Sequence, residues 1–167
     1  MLCSNLLLLL LLLCLAAAPT LAAPPATLTG KVVSVHDGDT LTVLDATKTQ
    51  HKVRLHGIDA PESKQAFGNV ARKALADLVS GNEVDVEVVA KDRYRREVGK
   101  VHVGGRYVNA EMVRQGLAWR YFQFDKENDF GGLEDDARKQ RRGLWADPHS
   151  VPPWEWRKTE KERRAAK

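Results

Sequence analysis

Cysteine is nearly absent from this sequence. The 167 residues contain two cysteines, Cys3 and Cys14, and both lie in the leucine-rich N-terminal segment. If that segment is removed, the mature chain has no disulfide, no thiolate zinc site and no cysteine nucleophile. Net charge is also small, at +4 from 26 basic and 22 acidic side chains. These shortages exclude disulfide-stabilised scaffolds, cysteine hydrolases and strongly charged disordered chains.

Long hydrophobic runs are confined to the N-terminus, where an apolar segment extends from Leu6 to Ala18. Its length suits the core of a signal peptide and is short for a membrane span, which needs about 20 residues. We predict a signal peptide over residues 1–22, and hence a secreted or periplasmic protein without membrane contact after cleavage. An uncleaved anchor is the alternative, because no Lys or Arg precedes the apolar run.

The rest of the chain, roughly 145 residues, is the size of one domain with its own core. We predict a folded domain over residues 23–150, followed by a basic tail over residues 151–167 that contains Pro and Trp. From Trp154 to Lys167 the tail has six basic and three acidic side chains, so it carries most of the net charge. Net charge alone is therefore a weak argument that the domain binds nucleic acid.

Alternation of apolar and polar residues with a period of two predicts five short strands. They cover residues 28–35, 40–44, 52–55, 83–88 and 98–103. Three strands, a helix, two strands and two further helices form an α+β domain, and five short strands around one core suit a closed barrel. We predict a five-stranded OB-fold β-barrel with three α-helices.

The three helices are predicted from apolar spacing and from residues that start or stop a helix. The first lies between Ser63 and Gly81, where apolar residues fall at helical spacing. Asn109 is expected to cap a second helix that runs through Gln115. The third is predicted over residues 133–142, before Gly143.

Two acidic clusters surround one arginine. Residues 37–40, Asp-Gly-Asp-Thr, form a turn that by itself indicates a hairpin. About fifteen residues later, Arg54 lies on the third predicted strand, and Asp59 and Glu62 stand on either side of a rigid proline. The carboxylate oxygens of Asp39 and Asp59 can hold a hard divalent cation, and Glu62 is left as a base.

A third cluster, Lys-Asp-Arg-Tyr-Arg-Arg at residues 91–96, has four cations and an aromatic ring in six positions. Alone it is typical of either a solvated loop or a phosphate-binding loop. Together with the acidic clusters it provides what phosphodiester cleavage needs, because Arg54 and Arg96 can each hold phosphate oxygens with two hydrogen bonds.

The three charged motifs, in this order and at this spacing, resemble the thermonuclease family, whose model member is staphylococcal nuclease. The likeness continues through residues 113–118 and 141–145 and into the Pro-Pro-Trp-Glu-Trp ending at residues 152–156. The resemblance implies a calcium-dependent endonuclease that hydrolyses DNA and RNA to 3′-phosphate ends. It also implies a monomer without a stable protein partner, which prefers single-stranded or frayed substrate.

The same resemblance implies roles for the acidic cluster. Asp39 and Asp59 match the calcium-binding carboxylates, and Ala60 matches the residue that offers its backbone carbonyl to the ion. Glu62 matches the glutamate that acts as general base on the attacking water.

Arg54 and Arg96 match the two arginines that contact the scissile phosphate. Arg95 stands where the family often has glycine, so Arg95 remains a competitor for the second of these roles. The resemblance also implies three substrate-binding residues, namely Arg93, Tyr94 and Tyr121.

Two other functions stay open from the sequence. A catalytically inactive OB-fold module that binds nucleic acid would keep the fold, but it would need none of Asp39, Asp59 and Glu62. A structural cell-surface domain would use only the basic tail to bind polyanions. The sequence has all three of these acids and also Arg54 and Arg96, which favours the enzyme.

Overall fold

The computed structural model describes residues 26–126 and 130–166. The predicted signal peptide lies outside these residues, so it stays a prediction. Within the described ranges, no helix is both long enough and apolar enough to cross a membrane.

Of the eight strands in the described part of the chain, five form a closed barrel. The strands are β1 (Ala26–Val35), β2 (Thr40–Asp45), β3 (Gln50–Leu55), β4 (Ile58–Asp59), β5 (Glu83–Lys91), β6 (Glu97–Val103), β7 (Arg106–Tyr107) and β8 (Trp119–Arg120). In the barrel, β1, β2 and β3 form an antiparallel meander, and β5 pairs with both β1 and β6. A parallel pairing of β3 with β6 closes the sheet. The predicted α+β fold with a five-stranded barrel is confirmed.

Alternate residues of the barrel strands point inward, as the period of two predicts. Seven inward residues of β2, β3, β5 and β6 are at most 1% exposed, namely Leu41, Val43, Val53, Leu55, Val84, Val86 and Val101. Burial of each such side chain contributes about 1.5–3 kcal/mol, so this core fixes which strand faces look outward. The ends of β2 and β3 are thereby held in register next to the acidic clusters.

Residues 26–126 and 130–166 contain four α-helices where the sequence predicted three. They are α1 (Gly68–Val79), α2 (Val108–Arg114), α3 (Gly131–Lys139) and α4 (Pro153–Ala165), and a 3₁₀ helix covers Gly143–Ala146. The additional helix, α4, lies in the segment predicted as a tail. It begins with Pro153 at its first position, where proline favours a helix start, but its charged sequence has no repeating apolar face that would have indicated a helix.

The prediction that Asn109 caps α2 is wrong. The residue before the helix is Tyr107, and it makes no side-chain capping bond. The fully buried Asn109 amide instead accepts a hydrogen bond from the Val101 N–H at 3.0 Å and donates to the carbonyls of His56, at 3.0 Å, and Gly99, at 3.1 Å. Asn109 therefore ties β6 to the turn after β3, where the Gly99 carbonyl also accepts from the His56 N–H at 2.9 Å, so these buried backbone groups are satisfied.

A second, smaller core lies beside the barrel. It contains Trp119, Ala137, Leu144 and Trp145, with Phe67 and Trp154 packed against it. The short strand β8 pairs with β4, so that Trp119 is opposite Asp59. This core thus places the start of α4 next to the strand that carries one of the predicted metal ligands.

Candidate active site

One concave cavity of about 660 Å³ collects the charged residues that the sequence singled out. Its lining includes eight of the nine predicted site residues: Asp39, Arg54, Ala60, Glu62, Arg93, Tyr94, Arg96 and Tyr121. The ninth, Asp59, is 0% exposed and contacts Arg54 directly. Residues distant in the chain therefore converge at one place, and the roles assigned to them stay predictions.

The turn between β1 and β2 brings two carboxylates to the cavity. A side chain at Gly38 would put its Cβ 2.7 Å from the Cβ atoms of both Ala60 and Ala71, so only glycine allows this close approach. Asp37 Oδ1 accepts a hydrogen bond from the Asp39 N–H at 3.0 Å. Asp39 Oδ2 in turn accepts one from the Ala60 N–H at 2.8 Å. The turn is thereby fixed against the segment that follows β4.

The surroundings of Asp37 at this turn disfavour its ionised form. Burial, and secondly the negative charge of Asp39, raise the pKa of Asp37 to about 7. Near neutral pH the Asp37 carboxyl group is therefore partly protonated, and a nearby cation would favour the ionised form.

Arg54 bridges the two carboxylates predicted to bind metal. Its Nη1 donates to Asp39 Oδ1, and its Nη2 donates to Asp59 Oδ1 at 2.8 Å. Burial would lower the pKa of Arg54, but the charges of Asp39 and Asp59 raise it above its usual range. Arg54 Nη2 also donates to the Ile58 carbonyl at 3.4 Å, so the guanidinium group is a fixed cation at the end of β3.

Glu62 lies on a tight turn between β4 and α1. Its backbone carbonyl accepts from the Gln65 N–H at 2.8 Å, and its own N–H donates to Gln65 Oε1 at 3.2 Å. A Cβ at Gly68 would lie 2.0 Å from the Glu62 carbonyl oxygen, so glycine at the start of α1 lets this turn pack closely. The backbone of Glu62 is thus held firmly while its carboxylate faces the cavity.

Asp92 organises the basic loop between β5 and β6. Its Oδ1 accepts from the backbone N–H groups of Tyr94 and Arg96, at 2.9 and 3.0 Å, and its Oδ2 accepts from Arg96 Nε at 2.7 Å. Burial raises the pKa of Asp92, but the hydrogen bonds from Arg96 outweigh burial, and the pKa of Asp92 lies below its usual value. Arg96 is therefore aimed by Asp92, a function that the sequence reading did not foresee.

Arg95 is placed differently from Arg96. It adopts the left-handed conformation at φ 65° within the loop, and it is not among the residues that line the cavity in the described chain. This placement favours Arg96 as the phosphate-contacting arginine.

Three aromatic residues, Tyr94, Tyr121 and Phe124, border the cavity. Tyr94 is 64% exposed, its ring lies 4.8 Å from the guanidinium carbon of Arg93, and its hydroxyl accepts from Arg93 Nη2 at 2.7 Å. Tyr121 is stacked on Trp154 of α4, with ring centroids 5.6 Å apart and planes 7° from parallel. The stacking fixes the orientation of Tyr121 through a helix that the sequence did not predict.

Arg157, one helical turn after Trp154, lines the cavity and was not predicted from the sequence. Its Nη1 donates to Glu62 Oε1 at 2.8 Å and its Nη2 donates to Asp59 Oδ2 at 2.8 Å. The only sequence signal was the Pro-Pro-Trp-Glu-Trp string before it, since proline pairs often start helices. No local pattern indicates that the helix would reach the cavity.

The donor atoms in the cavity suit a hard divalent cation. The predicted donors are the Asp39 and Asp59 carboxylates and the Ala60 carbonyl, all of them oxygens, which favours calcium or magnesium over zinc. In the described part of the chain no cluster of three or more His, Cys, Asp or Glu side chains is arranged as a metal site. However, the Arg157 guanidinium bridges Asp59 and Glu62 as a stand-in cation, so these carboxylates do attract positive charge. The residues fit the ion.

Comparison with known proteins agrees with this geometry. The model of the family "Staphylococcal nuclease homologue" matches residues 52–147, more than half of the chain. A micrococcal nuclease of Shigella flexneri is 45% identical over 143 residues, covering 79% of this chain and 82% of that protein. An uncharacterized endonuclease of Escherichia coli O157:H7 is 44% identical over 133 residues, covering 79% and 86%. Protein ParB of Escherichia coli is 46% identical over 150 residues, covering 83% and 84%. The chain therefore belongs to the staphylococcal nuclease family and is, by enzyme class, a nuclease.

Proposed function

We propose that this nuclease is a calcium-dependent endonuclease that hydrolyses DNA and RNA and leaves 3′-phosphate ends. The observation that supports it is the convergence of two guanidinium groups, Arg54 and Arg96, and three carboxylates, Asp39, Asp59 and Glu62, around one cavity.

The arginines act through charge. A pentacoordinate phosphorane carries more negative charge on its equatorial oxygens than the ground-state diester, so fixed cations bind the transition state more tightly. Arg54 is fixed by Asp39 and Asp59, and Arg96 by Asp92. Because both groups are already oriented, little reorganisation is needed when the charge develops.

Glu62 has the position of a general base. Its carboxylate lines the cavity and is 34% exposed, so a water molecule can reach it. A carboxylate held in place can accept the proton of an attacking water as the bond to phosphorus forms. The cation held by Asp39, Asp59 and the Ala60 carbonyl would supply Lewis-acid stabilisation of the phosphate oxygens.

The shape of the cavity supports a preference for unpaired nucleotides. Its volume of about 660 Å³ is that of a small-ligand pocket and leaves no room for a duplex. Tyr94 and Tyr121 at its border offer ring faces on which any base can stack, which gives affinity without sequence preference. Binding should weaken steeply with salt, because phosphates provide most of the contacts.

A cleavage assay tests the proposal. Circular single-stranded DNA and a labelled RNA are incubated with the mature protein in calcium, in magnesium and in chelator. We expect calcium-dependent cutting of the circle, and ends that a polymerase extends only after 3′-phosphatase treatment. Cleavage that continues in chelator would contradict the requirement for a metal ion. Ends that a polymerase extends without phosphatase treatment would contradict the 3′-phosphate product. Binding without cutting would favour the inactive OB-fold module.

We also propose that the enzyme works outside the cytoplasm, which the apolar segment at residues 6–18 supports. N-terminal sequencing of protein from the medium or periplasm should then begin at Ala23. Recovery of the full-length chain in the membrane fraction would instead support an uncleaved anchor.

A further inference from the structure

The contact between α4 and the acidic cluster has a consequence for metal binding. Both oxygens of the Asp59 carboxylate are engaged by guanidinium groups. Oδ1 accepts from Arg54 Nη2 at 2.8 Å and from Arg157 Nη1 at 3.2 Å, and Oδ2 accepts from Arg157 Nη2 at 2.8 Å. A cation bound to Asp59 must therefore take a position that a guanidinium group now holds.

Of the two arginines, Arg157 is the one able to leave. Arg54 sits on a barrel strand, and its side chain is 17% exposed, whereas that of Arg157 is 40% exposed on a terminal helix. Asp59 itself is 0% exposed, and the Arg157 guanidinium lies between Asp59 and Glu62. An ion approaching Asp59 from the cavity would thus meet Arg157, which lines the cavity.

Three contacts hold the start of α4 over the cavity. Trp154 stacks on Tyr121, Pro153 at the first position of the helix is packed into the buried interior, and Gln65 Nε2 donates to the Val151 carbonyl at 2.5 Å. These contacts involve other residues than Arg157. The helix can therefore remain docked while the long Arg157 side chain changes rotamer, since an arginine side chain has many accessible rotamers.

We propose that Arg157 competes with the activating divalent cation for the Asp59 carboxylate, and so sets the cation concentration at which the nuclease becomes active. The inference rests on the proposed function, since it concerns the cation of that same site. In a competition of this kind the apparent Kd is the intrinsic Kd divided by the fraction of molecules in which Arg157 has released Asp59. If that fraction is about one tenth, removing the guanidinium tightens cation binding about tenfold.

Calorimetric titration with calcium, in the absence of nucleic acid, tests this competition. The variants are Arg157→Met, which removes the charge at similar length, and Arg157→Lys, which keeps the charge but loses the two-point contact. Arg164→Met is the matched control, because it removes the same residue type from the exposed end of the same helix. Arg164 is seven residues further on, about 10 Å along the helix, where salt at 0.1 M screens most of its charge.

We expect Arg157→Met to bind calcium about tenfold more tightly than the wild type, Arg157→Lys to be intermediate, and Arg164→Met to match the wild type. The calcium concentration for half-maximal cleavage should fall in the same order. Equal or weaker binding by both Arg157 variants would overturn the competition and make Arg157 a support for the metal ligands. If Arg157→Met does not fold, the lysine variant decides alone.

Other outcomes separate the two proposals. If all four proteins cut DNA in calcium but the Arg157 variants bind the ion no more tightly, the competition is wrong and the proposed function stands. If none binds calcium and none cuts, both proposals fail. If Arg157→Lys equals the wild type while Arg157→Met binds more tightly, the effect is one of general charge, and the direct competition is again wrong.

Discussion

Substitution of Arg54 by Lys should separate the stability that this side chain provides from its role in the reaction. Arg54 contacts two buried carboxylates at once, Asp39 through Nη1 and Asp59 through Nη2. The ammonium group of lysine is a single point and cannot repeat a planar grip on both. One carboxylate therefore loses a charge-assisted hydrogen bond, and a phosphate in the cavity loses its two-point partner.

The two losses differ in size and can be measured apart. A hydrogen bond to a charged group contributes about 1.5–3 kcal/mol, and the higher cost of an uncompensated buried charge is avoided because Arg157 still pairs with Asp59. We expect the free energy of unfolding to fall by about that amount. Loss of a preorganised donor to the transition state typically lowers kcat by about 100- to 1000-fold. If the variant stays folded under the assay conditions, the whole fall in kcat reports the lost contact with the transition state.

The assay combines urea unfolding with steady-state cleavage of a short single-stranded oligonucleotide at saturating calcium. Arg120→Lys is the control, because Arg120 Nε donates to the buried Asp125 at 2.6 Å in a pair of similar burial outside the cavity lining. The control should lose similar stability and keep its kcat. If Arg54→Lys retained kcat within tenfold of the wild type, about 1.4 kcal/mol, the assignment of Arg54 to the transition state would be wrong.

Three further predictions concern Glu62 and Asp37 of the cavity lining and Trp154, which stacks on the lining residue Tyr121. Glu62→Gln should lower kcat about 100- to 10,000-fold with little change in KM, and an unchanged kcat would place the general base elsewhere. Because the pKa of Asp37 is raised to about 7, its protonated form stabilises the fold at acidic pH, and this contribution is lost as the pH rises through 7. Asp37→Asn should therefore be more stable than the wild type at pH 8 by about 1–2 kcal/mol in chelator, with little difference at pH 4, and equal urea midpoints at pH 8 would contradict the buried-charge argument. Trp154→Ala removes the ring stacked on Tyr121 and should raise KM for single strands more than it lowers kcat. Steady-state kinetics on one oligonucleotide measures both constants, and an unchanged KM would contradict this prediction.

The barrel was predictable because each strand signals its own burial. β2 was predicted over residues 40–44 and covers Thr40–Asp45, and of the alternating valines of β5, Val84 and Val86 are buried as expected. A period of two reflects directly which side chains face the core, so no long-range information is needed. The charged motifs were found for the same reason, since each is a short string on one turn or strand end.

What the sequence could not show are partners that are distant in the chain. Asn109 has the residue type of a helix cap, yet its amide hydrogen-bonds to the backbone of β6 and of the turn after β3, because buried backbone groups there need partners. Arg157 has the appearance of one more charge in a basic tail, and only the packing of Trp154 against Tyr121 brings it to Asp59. Both contacts depend on where elements meet, which composition does not encode.

The charge balance of the cavity explains why acids and arginines are crowded together there. Five carboxylates stand at the cavity, those of Asp37, Asp39, Asp59, Glu62 and Asp92, together with four guanidinium groups, those of Arg54, Arg93, Arg96 and Arg157. With all five acids ionised, one negative charge is left over. A site in this state has no net attraction for a phosphodiester, whereas one divalent cation would make it net positive. Substrate and cation should therefore bind with positive cooperativity, since each brings a charge that attracts the other.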